Sequence, residues 1–67
     1  MERTMSVNGS AYQFAATYDG DSQYNVQVHN GDKLITMFKV AAESEQDVFD
    51  AALARFKADV DMGNVKV

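Results

Sequence analysis

Tyr12-Gln13-Phe14-Ala15-Ala16-Thr17-Tyr18, then Asp19-Gly20-Asp21-Ser22, then Gln23-Tyr24-Asn25-Val26-Gln27-Val28-His29 is the stretch that decides the fold. Tyr12, Phe14, Ala16 and Tyr18 alternate with Gln13, Ala15 and Thr17. A period of two marks a strand with one apolar face. Tyr24, Val26 and Val28 repeat the pattern against Gln23, Asn25, Gln27 and His29. Asp19-Gly20 between them suits the left-handed dihedrals of a tight hairpin. The predicted strands are 11–18 and 23–29.

Reading outward, Asn30-Gly31 is a second hairpin signal, and Lys33 to Ala41 is a third strand rich in β-branched and aromatic residues. Upstream, Thr4 to Val7 offers a short extra strand across Asn8-Gly9. Downstream, Ser44 is an N-cap residue, and Asp47 three places on gives a near variant of the capping box. Phe49, Leu53, Phe56 and Val60, with Ala52 between, fall at helical spacing and predict a helix over 45–61 that covers the sheet. Gly63-Asn64 is a C-terminal stop signal. Val65-Lys66-Val67 leaves room for a last short edge strand at 65–67. The expected class is α+β: a three-stranded antiparallel meander packed on one C-terminal helix, with room for an edge strand at either end, in a single domain over 1–67.

Composition narrows the function. The chain has 67 residues, no Cys, no Pro and a single His, His29. Disulfides and thiolate metal sites are therefore excluded. A core this small is marginal, so a second subunit or a bound partner is the remaining source of stability. Ten acidic residues face six basic ones, for a net charge of −4. Direct nucleic-acid binding needs a basic face to displace counterions, and the cations are scattered from Arg3 to Lys66. No apolar run reaches the roughly 20 residues of a membrane span. Met1-Glu2-Arg3-Thr4 lacks the apolar core of a signal peptide, so the expected location is the cytoplasm.

No catalytic, cofactor-binding or metal-ligating set is expected. A nucleophile needs a base within reach and a group to orient it, whereas His29 stands on the polar face of a strand. Asp19/Asp21 falls in a turn and Asp59/Asp61 at a helix end; neither implies the enclosed site that tunes a carboxylate for acid–base work. Asp19-Gly20-Asp21 lacks the further ligands of a calcium loop. The glycines are single and sit in turns, so no phosphate-cradling loop is present.

Two surfaces are candidates for a protein partner. The first is the sheet face away from the helix, presenting Gln13, Thr17, Asn25 and Gln27. If Leu34, Thr36, Phe38 and Val40 point inward, then Ile35 and Met37 form an apolar spot on that face; a bulge in the third strand would change this assignment. Charged residues are depleted and Met is enriched in interface cores, although isolated apolar surface residues are also normal. The second is an acidic patch, Glu43, Glu45, Asp47 and Asp50, suited to a basic groove. Complementation of the helix dipole accounts for much of that cluster without any partner.

The segment Lys39-Val40-Ala41-Ala42-Glu43-Ser44-Glu45-Gln46-Asp47-Val48-Phe49-Asp50-Ala51-Ala52-Leu53 resembles the strand-to-helix junction of small phage-encoded host-takeover proteins, the podoviral RNA polymerase inhibitors among them. Met5-Ser6-Val7 and Phe14-Ala15-Ala16-Thr17 share in that resemblance. It implies an acidic inhibitor that plugs a site on a bacterial host protein, and no contact residues transfer. In size, acidity and architecture the chain is also similar to anti-CRISPR proteins. Its meander running into a helix resembles HicB-type antitoxin domains, without their Pro- and Cys-containing segment. The expected function is non-enzymatic binding to a bacterial host protein. The alternative is a homodimeric, antitoxin-like or structural module, and an accessory nucleic-acid binder ranks last.

Overall fold

A computed structural model describes residues 1–66. The chain forms β1 (Glu2–Val7), β2 (Ser10–Gly20), β3 (Gln23–Asn30), β4 (Lys33–Ala41) and α1 (Glu45–Asp61). The strands make one antiparallel sheet in the order β1-β2-β3-β4, with α1 packed on one face. The optional N-terminal strand is thus a full member of the sheet, paired from Glu2↔Ala15 to Val7↔Ser10. Val65 and Lys66 are not in a strand; Val67, the end of the expected edge strand, lies outside the described residues.

The turns explain the pairing. Asn8 and Gly9 have φ of 52° and 84°, the left-handed pair that a two-residue hairpin prefers. The second hairpin turns later than Asp19-Gly20. Its tip is Asp21-Ser22, with φ of 54° and 58°. Asp19 is left without a partner between Tyr18↔Tyr24 and Gly20↔Gln23. This bulge lets β2 run on to Gly20 before the chain reverses. Two non-glycine residues in the left-handed region store strain, and the Ser22 carbonyl accepts from the Ala42 N–H at 2.9 Å, which ties the tip to the end of β4. Ser22→Gly keeps that bond and relieves one strained residue. It is expected to stabilise the fold by about 0.5–1 kcal/mol, raising the midpoint of thermal unfolding by a few degrees in a calorimetric scan.

Ser44 caps α1: its side chain accepts from the Asp47 N–H at 3.1 Å. The helix ends in a Schellman arrangement. The Asn64 N–H reaches the Asp59 carbonyl at 2.9 Å, the Gly63 N–H reaches Val60 at 3.1 Å, and Gly63 has φ 76°.

The core lies between α1 and the alternating apolar face of β2 and β3. Phe14, Val26, Val28, Val48, Phe49 and Phe56 are enclosed. Val48 joins the expected stripe, whereas Leu53 and Val60 are only half-buried at its margin. The Phe56 ring meets Tyr12 and Phe14 edge-on, with centroids 5.0 and 5.6 Å apart. Two arginines close the margins: Arg3 lies 4.5 Å over the Phe49 ring and Arg55 lies 5.2 Å over Phe38.

Candidate functional site

Register assigns the residues of the uncovered sheet face. Directly opposed residues in antiparallel strands share a face. Thr17, Asn25 and Lys39 form one row across β2, β3 and β4; Ala15, Gln27 and Met37 form the next; Gln13, His29 and Leu34 form a third. The expected face residues Gln13, Thr17, Asn25, Gln27 and Met37 are therefore brought together on the side away from α1.

Ile35 is not among them. The register shifts between Val28↔Thr36 and His29↔Leu34, which leaves Ile35 as the extra residue of a bulge in β4. Ile35 packs against the core cluster, and Leu34 is 47% exposed. The apolar spot is therefore Leu34 with Met37, which is 51% exposed. The inward placement expected of Leu34 and the outward placement of Ile35 are exchanged. The reason is steric: an inserted residue resets the two-residue period, so positions before the bulge change sides. The run Leu34-Ile35-Thr36-Met37-Phe38, apolar at four of five positions, is the local sign of that broken alternation.

Four polar groups of this face contact one another in two pairs. Lys39 Nζ reaches Asp19 Oδ2 at 2.8 Å. That contact joins β2 to β4 across β3, where Asn25 stands between Thr17 and Lys39. The Asn25 Oδ1 is enclosed and meets no donor among the described residues. His29 Nε2 lies 3.2 Å from Gln27 Oε1. Glu2, at the β1 edge, is the remaining acid of the face. The face thus carries little of the chain's net charge of −4.

The acidic candidates belong to the α1 end of the molecule, away from this face. Glu43, Glu45, Asp47 and Asp50 are all exposed. Glu45 faces Arg3 at 3.6 Å. Asp50 accepts from Gln46 at 2.9 Å, and Gln46 in turn accepts from Arg3 at 3.4 Å. This network bolts β1 to the start of the helix.

No protein-family model, curated protein or solved structure matches this chain. Its chemistry must be read from the residues alone. Among the described residues, no three His, Asp or Glu side chains are grouped as a metal site requires, and there is no enclosed pocket. No helix among the described residues is long and apolar enough to cross a membrane. Sequence reasoning missed Leu34, for the reason given, and Tyr18. Tyr18 is 60% exposed on the helix side of the sheet, edge-on to Tyr24 at 5.2 Å. Nothing in its alternation distinguishes it from the buried Tyr12; its place beyond the cover of α1 is a tertiary fact.

Proposed function

We propose that this chain is a non-catalytic protein-binding module that inhibits a bacterial host protein by surface contact through its open sheet face. The observation that carries the reading is the character of that face: uncharged Gln, Asn and Thr around exposed Leu34 and Met37. A face kept only for solubility carries Lys and Glu. An interface core is poor in charge and rich in Met and aromatic residues. The molecule's longer dimensions, 31 and 23 Å, give the face an outline close to the roughly 800 Å² that each partner contributes to a standard interface.

The ionisable groups support binding over catalysis. Asp19, Glu45, Asp50 and Asp59 each hold a structural contact, with Lys39, Arg3, Gln46 and Arg55 respectively. Nucleic acid fits the face poorly. Its cation, Lys39, is paired with Asp19, and no Phe, Tyr or Trp stands in its rows to stack on a base; its one ring, His29, lies against Gln27.

A photo-crosslinker placed at Gln27 tests the reading, with one at Lys57 on the exposed side of α1 as control. In bacterial lysate, one discrete adduct from Gln27 and none from Lys57 is expected. Against the captured partner, Met37→Lys is expected to bind about tenfold more weakly, a loss of about 1.4 kcal/mol, at unchanged thermal stability. Equal labelling from both positions, or full binding by Met37→Lys, removes the face from the proposal.

A further inference from the structure

We infer that the free edge of β1 pairs with the β1 edge of a second copy, joining two sheets into one across a two-fold axis at Thr4. This inference concerns the backbone edge of β1, where Glu2 and Thr4 border the open face, and does not depend on that face's role.

The sheet has two edges, and they are built differently. β4 carries the bulge at Ile35 and the exposed Lys33, while Lys39 is turned inward across β3 to Asp19. Bulges and lysines are the devices that keep an edge from pairing with another chain. β1 has none of them. Its register runs unbroken from Glu2 to Val7, without Lys, Pro or bulge. Its one cation, Arg3, is folded over Phe49 and held by Glu45 and Gln46, so its charge is turned away from the edge.

The phase of the hydrogen bonds fixes what the edge offers. Met1 and Ala16 exchange both backbone bonds, at 2.7 and 3.1 Å. In an antiparallel ladder such pairs alternate along the strand, so Arg3, Met5 and Val7 also direct their backbone groups toward β2. Glu2, Thr4 and Ser6 direct theirs outward. Their side chains are exposed, and no other backbone group bonds them among the described residues.

These outward groups are self-complementary in one register. With Thr4 on the axis, Thr4 exchanges both bonds with Thr4 of the second copy, and Glu2 does so with Ser6 of the second copy, once on each side. No like charges are opposed, and the Glu2 carboxylate meets a hydroxyl donor. Centring on Met5 instead brings Asn8 opposite Glu2, but Asn8 has φ 52° and has left the strand. Registers shifted the other way shorten the overlap. A small core with no disulfide gains a continuous sheet by this route.

Sedimentation equilibrium up to millimolar chain concentration tests the inference, on wild type, Thr4→Pro, Thr4→Lys and Met37→Lys. Thr4→Pro removes an N–H that the monomer does not use, so its ladder survives. Thr4→Lys sets two lysines face to face on the axis. The expected result is a wild-type dimer, lost in both Thr4 variants at wild-type circular dichroism, and retained in Met37→Lys. In parallel, the Thr4 amide exchanges more slowly as concentration rises, whereas the Met5 amide is protected throughout. Should Thr4→Pro fail to fold, Thr4→Lys and the exchange data carry the test. A wild-type monomer at every concentration, or a dimer indifferent to Thr4→Lys, overturns it. A dimer split only by Met37→Lys also overturns it and moves self-association to the open face.

Discussion

Phe56→Ala is expected to leave most of the chain unfolded at room temperature. The Phe56 side chain is fully enclosed and touches two other rings edge-on. Removing a buried Phe costs about 3–5 kcal/mol, through lost transfer energy and the cavity left behind. A core of this size supplies roughly 3–5 kcal/mol in total. The two quantities are equal within their spread, so a single deletion consumes the whole margin. Phe56→Leu separates the contributions. It keeps apolar bulk and loses two ring contacts worth about 0.5–1.5 kcal/mol each, so it is expected to fold with a lowered midpoint. Urea titrations followed by circular dichroism check both. A cooperative transition in Phe56→Ala near the wild-type midpoint would mean that α1 is not the element that closes the core.

Opposite signs are expected at the two ends of the Arg55–Asp59 contact. The distance is 3.0 Å, but the side chains are 53% and 13% exposed respectively. Arg55→Ala leaves the shielded carboxylate alone and uncovers the Phe38 ring. Breaking a fully buried pair costs about 3–5 kcal/mol; with the arginine half in water, roughly 2 kcal/mol is expected here. Asp59→Leu removes the carboxylate instead. Asp59 lies in the last turn of α1, where the helix dipole disfavours an acid, and the freed Arg55 remains hydrated. Stabilisation of about 1 kcal/mol is expected. Equal destabilisation by both substitutions would show that the pair makes a net contribution to the fold.

Local chemistry made the architecture legible. The alternation in Tyr12–Tyr18 and Tyr24–Val28, the Ser44 cap and the Gly63 stop each act within a few residues; the Asn30-Gly31 signal marks the turn after β3 one residue early, since Asn30 still pairs with Lys33 and the tip is Gly31-Asp32. The helix range 45–61 follows from a cap and a stop that both form as their residue types require. The full extent of β1 was less legible, because Glu2-Arg3-Thr4 carries no apolar alternation of its own; its pairing with β2 holds it in the sheet. Arg3 on the core side reads as a surface residue until Phe49 and Glu45 arrive from α1.

The candidate surfaces divide in the same way. The uncharged residues Gln13, Thr17, Asn25 and Gln27 share a face because a strand's period is fixed by its backbone, and sequence sufficed for them. For β4 it did not. The bulge at Ile35 is a property of the β3–β4 pairing, and it decided that Leu34, not Ile35, joins Met37 on the open face. The sequence by itself determined the elements, their order and the polarity of β2 and β3, since those follow from contacts close along the chain. Tertiary structure alone decided which edge is guarded, where β4 changes phase, and which exposed apolar side chains stand together, since those depend on partners brought from distant positions.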